Sequence, residues 1–208
     1  MNPFRLNSPF ARGVNKLVML LYAGFLWFLC SIPIVTMGAS TAALYEVLLK
    51  VVKNQEGYIG GSFFRAFRGN FKQGLQLGIP LILVQLIFAV NLFYYGVLGG
   101  EGFRIQTVVF TVLALLTLTA FSYVFAVMAK FENTAPGHFR MAVALIVRRP
   151  GWAVAILVLQ ALTVFLVWFF VYFPILFIVG ISGYMQAAVF DHVFRKLIDA
   201  GDIQTEGQ

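Results

Sequence analysis

Between Leu75 and Ala129 the chain carries only two charged side chains, Glu101 and Arg104, and both fall in the break GGEGFR. At about 1.5 Å of rise per residue, each flanking run, 75–98 and 105–129, exceeds the roughly 30 Å hydrocarbon core of a bilayer. The two runs therefore read as membrane-spanning helices, and the rest of the chain has to suit lipid as its solvent. It does: 61% of the 208 residues are hydrophobic and 11% charged, the mean hydropathy is +0.88, and an average soluble domain carries about 25% charged residues. A single domain of this size and composition lacks the polar side chains to cover a water-facing surface.

The first apolar run, Leu17 to Val35, follows Arg5, Arg12 and Lys16. It is longer than the roughly 15 residues of a signal-peptide core, and Met37 stands where a cleavage site needs a small residue, so it reads as a retained helix. Ser40 to Lys53 reaches only about 20 Å as a helix, too short to cross alone. The segment 17–53 is thus expected to be a helical hairpin, turning at SIPIVTMGAST around Pro33, Thr36 and Gly38 near the far face, with Ser40 or Thr41 capping the returning helix. Two last spans, 152–173 and 175–192, are divided by Pro174, and one kinked helix with a re-entrant tail stays open for this stretch. The expected fold is all-α. Residues 1–208 form one polytopic integral membrane bundle of five to six embedded helices, the short N-terminal hairpin included, plus one interfacial amphipathic helix over 61–73.

The cations test that count. Of fifteen Lys and Arg, only Arg104 lies on the side of the Gly99–Gly102 break; the others fall in the N-terminal tail, in Lys50 to Lys72, in Lys130 to Arg149 and at Arg195-Lys196. All fourteen share one side if the hairpin returns. An excess of Lys and Arg marks cytoplasmic loops, which places both termini and both long connectors in the cytoplasm.

In the first connector, GSFFRAFRGNFKQG, a helical wheel gathers Phe63, Phe64, Phe67 and Phe71 on one arc, with Arg65, Arg68 and Lys72 beside it. With Ser62 as its N-cap this reads as an in-plane helix whose phenylalanines contact lipid or the inner ends of the bundle, while its cations meet anionic head groups. Aromatics and arginines also suit nucleic acid, but a segment joining two embedded helices already has a home for its apolar face, so nucleic acid is not expected as a partner. The second connector, Lys130 to Trp152, has a similar order of Phe-Arg, basic residues, Gly and helix, as an internal repeat would.

No phosphate loop, dinucleotide fingerprint, zinc-protease motif, nucleophile elbow or C-x-x-C pair occurs. The single cysteine, Cys30, allows no intramolecular disulfide. No catalytic residue, cofactor or metal is expected. An intramembrane enzyme would need Glu132, His138, Asp191 and His192 to meet in one pocket. Glu46 is the ionisable residue placed inside the membrane, one turn before Lys50 and spaced to pair with it. Gln85, Asn91, Gln106, Gln160 and Gln186 read as helix-to-helix glue rather than a pore lining.

At SIPIVTMGASTAALYEV, at FFRAFRGNFKQG and at FENT the chain resembles the YesL family of bacterial membrane proteins. The shared pattern is a Pro-x-x-Thr-x-Gly-Ala turn, an Ala-Leu-Tyr helix and a Phe-Arg-x-Asn-Phe-Lys-Gln segment, and it marks Pro33, Thr36, Gly38, Ala39, Leu44, Tyr45, Asn70, Phe71, Lys72, Glu132 and Asn133. The resemblance implies a small multi-pass protein of the bacterial plasma membrane, of unknown molecular activity, associated with carbohydrate uptake through ABC-type importers. The expected role is a non-enzymatic accessory or regulatory component that binds importer subunits and lipid through its cytoplasmic rim, where Asn70, Lys72, Glu132 and Asn133 form either a docking surface or a hydrogen-bonded latch between the two connectors. The alternative is a small-solute transporter acting as a homo-oligomer, which requires polar residues to converge at mid-membrane.

Overall fold

The computed structural model describes residues 9–55, 58–98, 104–169 and 175–199. Its organising element is α2, Met37–Val52, whose small residues Gly38, Ala39, Ser40, Ala42 and Ala43 are all buried. Small side chains let neighbouring backbones approach closely in a membrane bundle. α2 accordingly packs against α1 (Pro9–Ser31), α3 (Ile59–Gly69), α4 (Phe71–Phe93), α5 (Arg104–Lys130) and α8 (Ile175–Asp199). α6, Ala135–Arg148, and α7, Pro150–Phe169, complete the bundle on the α5 and α8 sides. Among the described residues five helical segments are long and apolar enough to cross a membrane. This is an all-helical, multi-pass membrane architecture.

The hairpin forms, with a different turn. α1 ends at Ser31, a 3₁₀ turn spans Ile34–Thr36, and α2 begins at Met37. The expected caps Ser40 and Thr41 lie inside the helix instead, where Thr41 donates to the Met37 carbonyl at 2.7 Å. Thr36 closes the turn: its hydroxyl is 2.5 Å from the Cys30 carbonyl and 2.7 Å from that of Pro33. With its 3₁₀ turn the return segment Ile34–Val52 is also long enough to cross, which corrects the expectation from Ser40–Lys53 alone.

The depth of that turn is fixed by glycines. A Cβ on Gly78 would meet the Gly38 Cα at 3.0 Å, and one on Gly74 would meet the Ala39 backbone at 2.6 Å. The start of α2 therefore sits beside the first turns of α4, which then runs fifteen residues past Gly78, about 22 Å along its axis. The turn does not reach the far end of α4 as expected; it stops part-way, with Ile32, Ile34 and Val35 more than half exposed on the bundle surface.

The segment expected as one amphipathic helix over 61–73 is two pieces. α3 starts earlier, with Tyr58 rather than Ser62 at its N-cap, and breaks at Asn70, so that Phe71 and Lys72 belong to α4. Phe63 is fully buried and stacks on Phe67 at 6.5 Å. Of the four phenylalanines expected against lipid or the inner ends of the bundle, Phe63 is thus a core residue, Phe67 packs against the core, and only Phe64 and Phe71 are exposed. The reason is the i, i+4, i+7 set Ile59, Phe63 and Ala66, which gives α3 an apolar stripe that α2 and α1 cover. Arg65, Arg68 and Lys72 remain exposed.

α6 occupies the second connector in the place α3 holds in the first, a short helix between two long ones. α5 matches its expected bounds within a residue, while α8 continues seven residues past the expected 192. The Gly99–Gly102 break and the α7–α8 junction around Pro174 lie outside the described residues.

Candidate functional site

The end of the bundle that carries α3 and α6 holds a half-open polar cleft of about 600 Å³. Four segments build it: α2 contributes Glu46, α3 and its junction with α4 contribute Arg65, Asn70 and Gln73, the end of α5 contributes Lys130, and the α5–α6 linker with α6 contributes Glu132, Asn133 and His138. Each is held by local chemistry. Glu46 pairs with Lys50 at 2.7 Å, as their spacing predicts. Asn70 donates to the Ala66 carbonyl at 3.0 Å and closes the end of α3. Thr134 is the N-cap of α6, its hydroxyl accepting from the Gly137 amide. Asn133 Oδ1 accepts from the Thr134 amide at 2.7 Å.

A latch between the two connectors exists, and its key is Gln73. The Gln73 amide donates to the Asn133 carbonyl at 2.8 Å, and its oxygen lies 3.1 Å from His138 Nε2. The side-chain amide thereby ties α4 to both the linker and α6. Asn70, Glu132 and Asn133 line the cleft as expected, whereas Lys72 does not. Helix geometry separates them, because residues three apart share a face and residues two apart point about 200° apart. Gln73 sits in the quoted Asn-Phe-Lys-Gln segment, and its three-residue spacing from Asn70 was the available signal.

His138 is 1% exposed and its Nδ1 has no hydrogen-bond partner. Burial holds its imidazole below the usual histidine range, with the Asn133 backbone opposing that shift. The contact with the Gln73 oxygen makes Nε2 the donor nitrogen of the ring.

These landmarks fall within or beside a recognisable block of sequence. A family described as "Protein of unknown function, DUF624" matches residues 20–92. That block runs from α1 through α4 and includes the hairpin turn, the α2–α4 glycine crossing, Asn70 and Gln73. No curated protein and no solved structure matches the chain.

Of the four residues that an intramembrane enzyme would need together, Glu132 and His138 line the cleft, and Asp191 and His192 are not among the described residues that do. Asp191, 5% exposed, lies 3.6 Å from Lys53 and 2.5 Å from Arg195, and His192 packs against Trp152 with ring centroids 4.9 Å apart. Among the described residues no three His, Cys, Asp or Glu side chains gather as a metal-holding group. Several of the neutral polar residues do join helices: Gln85 donates to the Ala114 carbonyl and to Thr117 across α4 and α5, and Tyr45 donates to Gln186 across α2 and α8 at 2.8 Å. Asn91 instead returns to the Ile87 carbonyl of its own helix.

Proposed function

We propose that the chain is a non-enzymatic accessory or regulatory component of a carbohydrate-import system in the bacterial plasma membrane. Both termini and the polar cleft face the cytoplasm in this reading. The observation that carries it is the cleft itself: a charged, latched concavity, flanked by exposed Arg65, Arg68 and Lys72, at the end of the bundle where nearly all the cations lie. Such a rim suits anionic head groups and the cytoplasmic parts of a partner. The resemblance to YesL proteins supplies the importer as that partner.

The experiment is affinity capture of the tagged chain from its native membrane in mild detergent, with mass spectrometry of co-purifying proteins. Importer subunits in near-stoichiometric amount, lost on Glu132→Arg and retained on Arg104→Ala, support the reading. Recovery of the chain alone as a defined oligomer overturns it. That result favours a small-solute transporter, for which the convergence of Thr119, Ser122, Gln160, Tyr45 and Gln186 between helices is the supporting observation.

A further inference from the structure

Six helices, α1, α2, α4, α5, α7 and α8, line a second, half-open cavity of about 290 Å³. Tyr45, Ser122 and Gln160 border it seven, eight and ten residues from the basic ends of their helices, which sets it about 10–15 Å deep in a bilayer core of about 30 Å. Its walls are mainly apolar, with Trp27, Leu81 and Phe121 among them, and among the described residues no charged side chain borders it.

Two sets of hydrogen-bonded polar side chains border it. Gln160 accepts from Thr119 at 2.7 Å and donates to Ser122 at 2.5 Å. Separately, Tyr45 donates to Gln186 Oε1 at 2.8 Å. Gln186 Nε2 keeps two N–H groups with no partner among the described residues, on a side chain only 7% exposed. Gln186 is itself one of the residues that line the cavity, which puts open space beside its side-chain amide.

We propose that the cavity is a binding site for a neutral, mainly apolar small molecule of about two fused rings that presents one hydrogen-bond acceptor to the Gln186 amide. The size follows from volume, since a cavity of about 150 Å³ admits benzene and this one is nearly twice as large. An anion finds no cation here, and a buried unpaired charge is costly. A sugar would bury several hydroxyls against apolar walls, at about 1–3 kcal/mol for each left without a partner. The site is distinct from the polar cleft and does not depend on the importer reading or on transport.

The test uses the full chain in phosphatidylcholine nanodiscs, following the Trp27 indole and Gln186 side-chain amide resonances by ¹⁵N NMR. The probes are 2-acetylnaphthalene, its acceptor-free analogue 2-isopropenylnaphthalene, and the anion 2-naphthoate. The ketone is expected to shift both resonances saturably and to bind about fivefold to tenfold more tightly than the hydrocarbon, as one buried hydrogen bond provides. Gln186→Leu, or Gln186→Met if the first does not fold, removes that preference and leaves hydrocarbon binding visible at Trp27. The proposal is overturned if neither naphthalene shifts Trp27 saturably, as happens if a lipid acyl chain fills the space. It is equally overturned if naphthoate binds as tightly as the ketone or if the preference survives in the variant.

Discussion

Gly74→Ala probes the contact on which the depth of the hairpin rests. The added methyl would stand 2.6 Å from both the backbone nitrogen and the Cα of Ala39, where ordinary contact begins at 3.4 Å. α2 and α4 would have to part by about 0.8 Å at their crossing, and neither side of the clash is a flexible side-chain end. Overpacking of this kind costs about 1–3 kcal/mol, against which Gly to Ala in a helix interior returns up to about 1 kcal/mol. The net expectation is a loss of roughly 1–2 kcal/mol. Gly13→Ala supplies the control, because a Cβ there meets nothing within 4 Å, and it should leave stability unchanged or raise it by up to about 1 kcal/mol. Reversible unfolding in mixed micelles, read by helical circular dichroism, measures both. If the two variants change stability in the same direction and by the same amount, the close crossing is absent and the placement of the turn beside lower α4 is wrong.

Three other outcomes follow from the same structure. Phe63→Ala removes a fully buried ring from beneath α3 and should cost about 3–5 kcal/mol, whereas Phe64→Ala, on the exposed face, should cost much less; equal losses would return Phe63 to the lipid. Asp191→Asn keeps the shape of a buried side chain but removes the charge that faces the more exposed Lys53 and Arg195, and should destabilise by about 1 kcal/mol, less as salt is raised. His138 gives a pH signature: its folded pKa lies below the unfolded value of 6.5, so the unfolded chain binds more protons in acid. Stability should then fall as pH drops through 6.5 and be flat above it for this group, and His138→Gln should flatten the wild-type curve over that interval; a slope unchanged in the variant would exclude His138 as its source.

Helix identity was legible where periodicity or length spoke alone. The runs 75–98 and 105–129 carry no competing signal, and α5 matches to a residue. Boundaries failed where caps were read from residue type. Ser40, Thr41 and Ser62 have the chemistry of N-caps, yet α2 and α3 begin at Met37 and Ile59, because tertiary packing of the small-residue face of α2 and the stripe on α3 outweighs a capping bond of about 1 kcal/mol. The rim was half legible. Asn70, Glu132 and Asn133 do line one cleft, but the reading set Lys72 beside Asn70, two residues on, where the three-residue spacing of Gln73 keeps to one helix face. The buried amides of Gln160 and Gln186 read correctly as glue, while the space between them depends on how six helices meet and leaves no mark in any one segment.

The hairpin turn has a consequence for how the protein enters its membrane. The segment from Ser31 to Met37 has no charged residue, its exposed tip is Ile32, Ile34 and Val35, and its packing against Gly74 and Gly78 stops it part-way along α4. A hairpin whose turn carries no charge and exposes Ile32, Ile34 and Val35 brings no charged group into the hydrocarbon at its tip.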